Sequence, residues 1–448
     1  MPTDSNNISR RSFLRNSTVA GAASSAFTIV KPHQVRGAGK ALLKAGLIGC
    51  GGRGTQAAVD LLSGTENVEL AAMGDLFEDR LETSLKQLRN PKYVSYLAGQ
   101  TVERDGKPHQ LTAEELAAEL PKRIKVDPEH HFVGFEAYKK VIESDVDIVL
   151  LCTPPGYRPM HFEAAVNAKK HVFAEKPFGT DPVGVQRFMA AAKKSEELGL
   201  TVMSGAQRRF QQEYVQSVDK IKNGAIGDVV ATYAYWIGSP VIFQKQRLAK
   251  WGDMEWQHRA WYSFVWICGD QIVEQHLHNI DVCNWVMGTH PVKVVASGGA
   301  AWRPKEEIYG NIYDHISADF EYPNGVHMSS YCRQYPQGSY QNVSELIVGS
   351  QGRSNCRDLG EKGANPYMNE HIQMVRSIRG EGPHINHGMA VAESTMTCIL
   401  ARESAYSGQQ ITWDQIMASQ LDLMPKAFGY DLKMDEPPLP VPGQYKFI

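Results

Sequence analysis

The run AGLIGCGGRGTQAAVDLL, residues 45–62, constrains this chain more than any other feature. An apolar strand enters a glycine-rich turn and leaves it with apolar residues at helical spacing, which is the pattern of a βα unit. Gly49, Gly51 and Gly54 make GxGxxG: the first glycine permits the tight turn, the second lets backbone approach a pyrophosphate, and the third lets helix pack on strand. Gly52 and Arg53 lie inside the turn and belong with the cofactor-binding candidates. The phosphates would sit at the helix N-terminus, where unpaired N–H groups and the helix dipole favour an anion. A second strand, VELAAMGD, ends in Asp75, 21 residues after Gly54, the spacing of the acid that binds the ribose. A carboxylate there accepts from a 2′-hydroxyl and repels a 2′-phosphate, so the expected cofactor is NAD, with Arg80 nearby leaving NADP open. An unliganded turn is the alternative.

Two further strands end the same way round: DIVLLCTPP at Thr153 and Pro154, and KHVFAEKPF at Glu175 and Lys176. Ligands of an open parallel sheet bind beyond the carboxyl ends of its strands, so these four residues are expected beside the nicotinamide end of one crevice. Residues 88–130 read as a polar insertion on the surface. TVMSGAQRRF supplies a sixth strand and leads through Arg208 and Arg209 into a second domain; either arginine could reach substrate or cofactor, or stay solvated. NIYDHISADFEYPNGVHMSSY alternates polar and apolar residues around Pro-Asn-Gly, the pattern of a hairpin in an open sheet. Residues 367–407 read as helical, and the proline-rich tail as a wrap over the surface or a partner subunit.

With 448 residues, 42% of them hydrophobic, the chain can fill two cores. We divide it into 1–40, a signal and linker; 41–206, a Rossmann domain with a doubly wound parallel sheet; and 207–448, an α/β domain with a large, open, mostly antiparallel sheet. A formal net charge of −2 gives no basic field for nucleic acid or anionic membrane. Seven cysteines without a CxxC pair argue against a disulfide framework. Ser9-Arg10-Arg11-Ser12-Phe13-Leu14-Arg15, followed by a small-residue stretch, resembles a twin-arginine signal, with cleavage between Ala22 and Ala38 and a periplasmic or other extracytoplasmic destination. The twin-arginine machinery would then be a partner; a disordered basic tail is the plain alternative.

In combination, GCGGRG, TPP, EKP and EQHLHNID, in that order, resemble the glucose-fructose oxidoreductase/inositol dehydrogenase/MocA family over nearly everything from Ala41 onward. The resemblance implies a Rossmann domain joined to an open-sheet α/β domain, with a dimer or tetramer formed through that sheet. It implies an NAD(P)-dependent enzyme acting on a CH–OH group of a sugar or polyol. Lys176 would be the active-site lysine, where a surface salt bridge to Glu175 is the competing reading. The family's acid four residues before a histidine falls on Glu274 and His278, which on a continuous helix share a face with Asp281. This chain has Glu where many relatives have Asp, and His276 where many have Gly. His276 and His278 face different ways on a helix, so no metal is expected.

On this reading His278 takes the hydroxyl proton, Lys176 stabilises oxyanion charge and Glu274 orients. Asp281 either orients or is structural. Trp251, Trp256, Trp261 and Trp266 cluster with Tyr262 and Arg259; Trp261 is the substrate-stacking candidate, against core packing. Outside the cytoplasm free NAD is scarce, which favours a retained nucleotide restored in each cycle. That leaves a ping-pong oxidoreductase, an NAD-dependent glycosidase working by transient C3 oxidation and elimination, and a non-catalytic Rossmann binding protein as alternatives.

Overall fold

The computed structural model describes residues 41–448 apart from 105, 106, 304, 305 and 436. The segment read as a twin-arginine signal, with the linker after it, lies outside the described residues. The first sheet is built from β1 (Leu43–Ile48) and β2 (Val68–Asp75), then, after a separate hairpin of β3 (Thr101–Arg104) and β4 (Lys107–Gln110), from β5 (His131–Val133), β6 (Ile148–Leu151), β7 (His171–Ala174) and β8 (Val202–Ser204). Its order is β5-β2-β1-β6-β7-β8, with every neighbouring pair parallel. The chain reverses its direction of travel across the sheet between β1 and β6, which opens a crevice at their carboxyl ends.

Both faces of this sheet are covered, so the central residues of its strands are apolar. Alternate residues feed two layers. Ala45, Leu47, Ile148 and Leu150 pack with Ala57 and Leu61 of helix Gly52–Gly64. Ile48, Val149 and Leu151 pack with Phe162 of helix Arg158–Asn167 and Phe188 of helix Pro182–Glu197. The expectation of a surface insertion at 88–130 is corrected here. Val94, Leu97, Val102, Leu111, Leu116, Leu120 and Val126 are all buried in the first of these layers. The polar residues between them conceal an apolar spacing too irregular to read as one element.

The second sheet runs β14-β13-β9-β12-β11-β10-β15, from β9 (Val229–Gly238), β10 (Lys293–Gly299), β11 (His315–Glu321), β12 (His327–Gln334), β13 (Asn342–Gly349), β14 (Arg353–Ser354) and β15 (Ile411–Thr412). Only β9 and β12 pair in parallel; the other neighbours are antiparallel. Helices Leu277–Met287 and Gly388–Ser407 contribute to the buried layer on one side of it. The helical stretch expected at 367–407 is two helices, Pro366–Arg379 and Gly388–Ser407, because Gly380 ends the first in a left-handed conformation. The first of the two returns to the Rossmann layer, where Met368, Met374 and Val375 join its core.

Candidate active site

The glycine turn has the geometry that its chemistry requires. Gly49 has φ +95°, and a Cβ there would lie 2.6 Å from the backbone of Cys152 and Thr153. A Cβ on Gly54 would collide with the Gly49 carbonyl. At Gly51 a Cβ would meet nothing within 4 Å, so this backbone is open to the cleft. Helix Gly52–Gly64 begins without a side-chain cap, which leaves its first N–H groups for an anion. Asp75 is locked in place: one carboxylate oxygen accepts from the Cys50 amide at 2.6 Å and the other from the Phe77 amide at 2.8 Å. Burial raises its pKa from 3.8 despite those bonds.

A cleft of about 580 Å³ joins this turn to the ends of β6 and β7, a size suited to a cofactor and small substrate. All ten cofactor-binding candidates line it: Gly49, Gly51, Gly52, Arg53, Gly54, Asp75, Thr153, Pro154, Glu175 and Lys176. Arg53 and Glu175 do so as a pair. The Arg53 guanidinium binds Glu175, reaches Glu370 at 2.8 Å and Asp60 at 3.3 Å, and lies 5.0 Å from the Tyr367 ring centroid. One cation among three carboxylates leaves excess negative charge in a buried place. Accordingly, burial pushes Asp60 up to about 6 and Glu370 well above the carboxylate range, against the pull of Arg53.

Lys176, Glu274 and His278 meet in this same cleft. The Lys176 ammonium donates to the Glu274 carbonyl at 2.7 Å and to its carboxylate at 3.1 Å, not to Glu175. His278 presents its ring to the cleft, stacks on Trp236 with centroids 5.8 Å apart, and has a buried Nδ1 without a hydrogen-bond partner. Burial first, then the positive charges of Lys176, Arg208 and Arg53, hold His278 well below its ordinary 6.5. The imidazole is therefore neutral near pH 7 and able to accept a proton.

The expected continuous helix is corrected. Helix Gln271–Glu274 ends before a turn at Gln275 and His276, and a new helix runs Leu277–Met287. The break lets His276 reach Ser330 Oγ on β12 at 2.8 Å, while Glu274 and His278 still arrive at the cleft from two separate segments. Three further candidates do not reach it. Arg208 is paired with Glu345, which also accepts from Tyr214 at 2.9 Å and from Asn279 at 2.5 Å. Arg209 holds both oxygens of Asp281 at 2.8 Å, and Ser394 donates to Asp281 at 2.7 Å. Buried charges need partners, and these arginines, read from sequence as possible substrate contacts, are those partners. Trp251, Trp256 and Trp266 are core residues, whereas Trp261 lines the cleft with Phe243 at 5.2 Å.

Sequence reading missed the wall formed by Phe77, Phe135, Tyr157, Arg158 and His258. Phe77 and Phe135 follow closely on the ends of β2 and β5, the one signal that could have found them. Arg158 donates to the carbonyls of Thr153 and Pro177, the latter at 2.5 Å, tying together the ends of β6 and β7.

A family model described as "Oxidoreductase family, NAD-binding Rossmann fold" matches residues 43–204, and one for the GFO/IDH/MocA C-terminal domain matches residues 214–354. The chain belongs to the GFO/IDH/MocA family. Among its relatives, scyllo-inositol 2-dehydrogenase (NAD(+)) of Bacillus subtilis is 24% identical over 250 residues, 55% of this chain and 63% of the relative. Myo-inositol 2-dehydrogenase of Thermotoga maritima is 23% identical over 187 residues, 41% of this chain and 48% of the relative. The chain thus spans about half the length of the relatives it matches. In structure it resembles a scyllo-inositol dehydrogenase from Lactobacillus casei with bound NAD(H) and scyllo-inositol, with TM-score 0.59 and 18% identity, over 83% of this chain and 99% of that one. At that identity the likeness shows the family fold.

Proposed function

We propose that this GFO/IDH/MocA protein is an NAD-dependent dehydrogenase that oxidises a secondary hydroxyl of a sugar or polyol. The observation that carries the reading is the meeting of Lys176, Glu274 and His278 in the cleft that also contains Gly51 and Asp75. The open backbone at Gly51, the uncapped helix start and the Asp75 carboxylate fit a dinucleotide, which when bound supplies a hydride acceptor. The protein's own part is to position the hydroxyl and to take its proton. Neutral His278 accepts that proton, Lys176 steadies the oxygen's growing negative charge, and Glu274 holds the lysine. Trp261 and Phe243 offer apolar faces on which a sugar ring can stack. The relatives that are inositol dehydrogenases point to the same substrate class.

The test is NAD reduction, followed at 340 nm, over a panel of polyols, aldoses and glycosides. Reduction with a polyol or sugar supports the reading; no reduction with any of them, in protein that binds NAD, counts against it. Release of aglycone with no net NADH would redirect it to the glycosidase mechanism.

Asp75 sets the cofactor preference. Asp75→Ala is expected to weaken NAD binding about tenfold to a hundredfold, since a charged hydrogen bond contributes about 1.5–3 kcal/mol, and to improve NADP relative to NAD beside Arg80. Calorimetric titration of both nucleotides reads this, and an unchanged NAD/NADP ratio would exclude the role.

Arg10-Arg11 and the small-residue stretch after them support export by the twin-arginine route; a reporter fused to residues 1–40 should reach the periplasm, and Arg10→Lys/Arg11→Lys should stop it. The second sheet supports self-association. Its outer face carries Tyr233, Tyr235, Tyr331 and Leu346 as register neighbours, with Tyr331 45% exposed, and Val295 beyond them 54% exposed. Sedimentation velocity should show a dimer or tetramer that Tyr235→Asp/Tyr331→Asp converts to monomer; a monomeric parent protein would remove the assignment.

A further inference from the structure

Past Asp75 the cleft runs between Phe77, which follows β2, and Phe135, which follows β5. In a Rossmann fold this is the adenosine half of the dinucleotide site. Here two pieces of chain from beyond residue 250 lie over it. The first is helix Asp253–Arg259. The Arg259 guanidinium sits 4.0 Å from the Phe77 ring centroid and 4.9 Å from that of Trp251. It donates to the two oxygens of Asp79 at 3.1 and 3.2 Å and to Glu255 at 2.8 Å. The second piece is the tail around Tyr430, whose hydroxyl donates to the Leu76 carbonyl at 2.6 Å and whose ring lies 5.2 Å from Phe135 and 6.0 Å from Phe77. Phe428 stacks on the same Phe135 at 5.5 Å. The two pieces are also joined to each other, because the Glu255 amide donates to the Tyr430 carbonyl at 3.3 Å.

These contacts are more than distant packing between domains, since His258 and Arg259 themselves line the cleft. An adenosine entering or leaving there has to displace a cation that is fixed by two carboxylates and covers an aromatic ring. An open Rossmann edge presents no such obstacle. We propose that Arg259 and Tyr430 form a clasp over the adenosine half-site, so that the protein releases its dinucleotide slowly. The inference rests on the nucleotide-binding reading above and assigns to that site a retention device built from the second domain and the tail.

NADH is the probe. The full chain is loaded with NADH and chased with excess NAD, and the loss of bound-NADH fluorescence is followed in time. Asp79 and Tyr430 are not among the cleft-lining residues, so Asp79→Asn and Tyr430→Phe test the clasp without altering the surface the nucleotide touches. Each is expected to speed release at least tenfold. Arg259→Ala should do the same, and adding Asp79→Asn to it should change little more, because the two act as one unit. Release at the parent rate in Asp79→Asn and Tyr430→Phe would overturn the clasp. Release from the parent protein complete within milliseconds would overturn it too, while leaving nucleotide binding intact. If equilibrium titration detects no NADH binding, the cofactor reading itself fails and the clasp with it.

Discussion

His278→Ala is expected to lower kcat by roughly 10²–10⁴-fold, the usual contribution of a positioned general base, with NAD affinity unchanged. Lys176→Met should lose a comparable 10²–10³-fold, as when one donor to a developing oxyanion is removed. The two effects should fall on kcat and kcat/KM alike, since both groups are assigned to the transition state and not to ground-state binding. Steady-state kinetics with the substrate found in the panel reads all three quantities. A purely structural histidine would instead lower the folded fraction and leave turnover per bound NAD unaffected. The pH profile adds a separate check. Burial and the charge of Lys176 hold His278 well below 6.5, so activity should not fall on the acid side until well under pH 6.5. In Lys176→Met the acid limb should move to higher pH, because a nearby cation that disfavours protonation is gone. Near-normal kcat in both variants would end the assignment.

Arg208→Met is expected to destabilise the fold by about 3–5 kcal/mol, because it strands the Glu345 carboxylate, 2% exposed, without its cation. Urea unfolding reads the loss. Adding Glu345→Gln to Arg208→Met should recover part of it, since the carboxamide removes the uncompensated charge while its oxygen can still accept from Tyr214 or Asn279. The pH dependence follows from the sign of the shift. Burial already raises Glu345 above 4.5, and without Arg208 it rises further. The folded variant then binds a proton that the unfolded chain does not, so its stability is retained at low pH and lost as pH rises through the folded-state value. The deficit should therefore be smaller at pH 5 than at pH 8. If Arg208 touched substrate, the variant would show a raised KM with parent-like stability, the opposite pattern.

That contrast shows where the sequence could be read and where it could not. The GxGxxG turn, Asp75 and the EKP motif were legible because each depends on local backbone: a tight turn, a strand end, a short spacing along the chain. The structure brings all of them to one cleft. His278 and Glu274 were found by family pattern, although the continuous helix assumed for them is broken at Gln275 and His276. Arg208 and Arg209, read as substrate contacts or solvated side chains, are instead paired with buried carboxylates, and Asp281 takes the structural one of its two readings. A charged residue beside a domain junction looks the same in sequence whether it faces solvent, substrate or a buried carboxylate more than seventy positions away. Residues 88–130 misled in the same way, because polar residues outnumber the buried apolar ones that anchor the segment.

The sequence by itself determined the Rossmann class, the nucleotide turn, the acid at the end of β2 and the lysine at the strand end. It also determined the presence of a second, open sheet through strict alternation of polar and apolar residues. All of these are patterns with a range of a few residues or one βα unit. Only the tertiary structure decided which charges are spent on one another, which tryptophan of four faces the cleft, and that the tail returns to lie over Leu76 and Phe77. Those outcomes depend on contacts between segments far apart in the chain, where burial and pairing select among side chains that local spacing leaves equivalent.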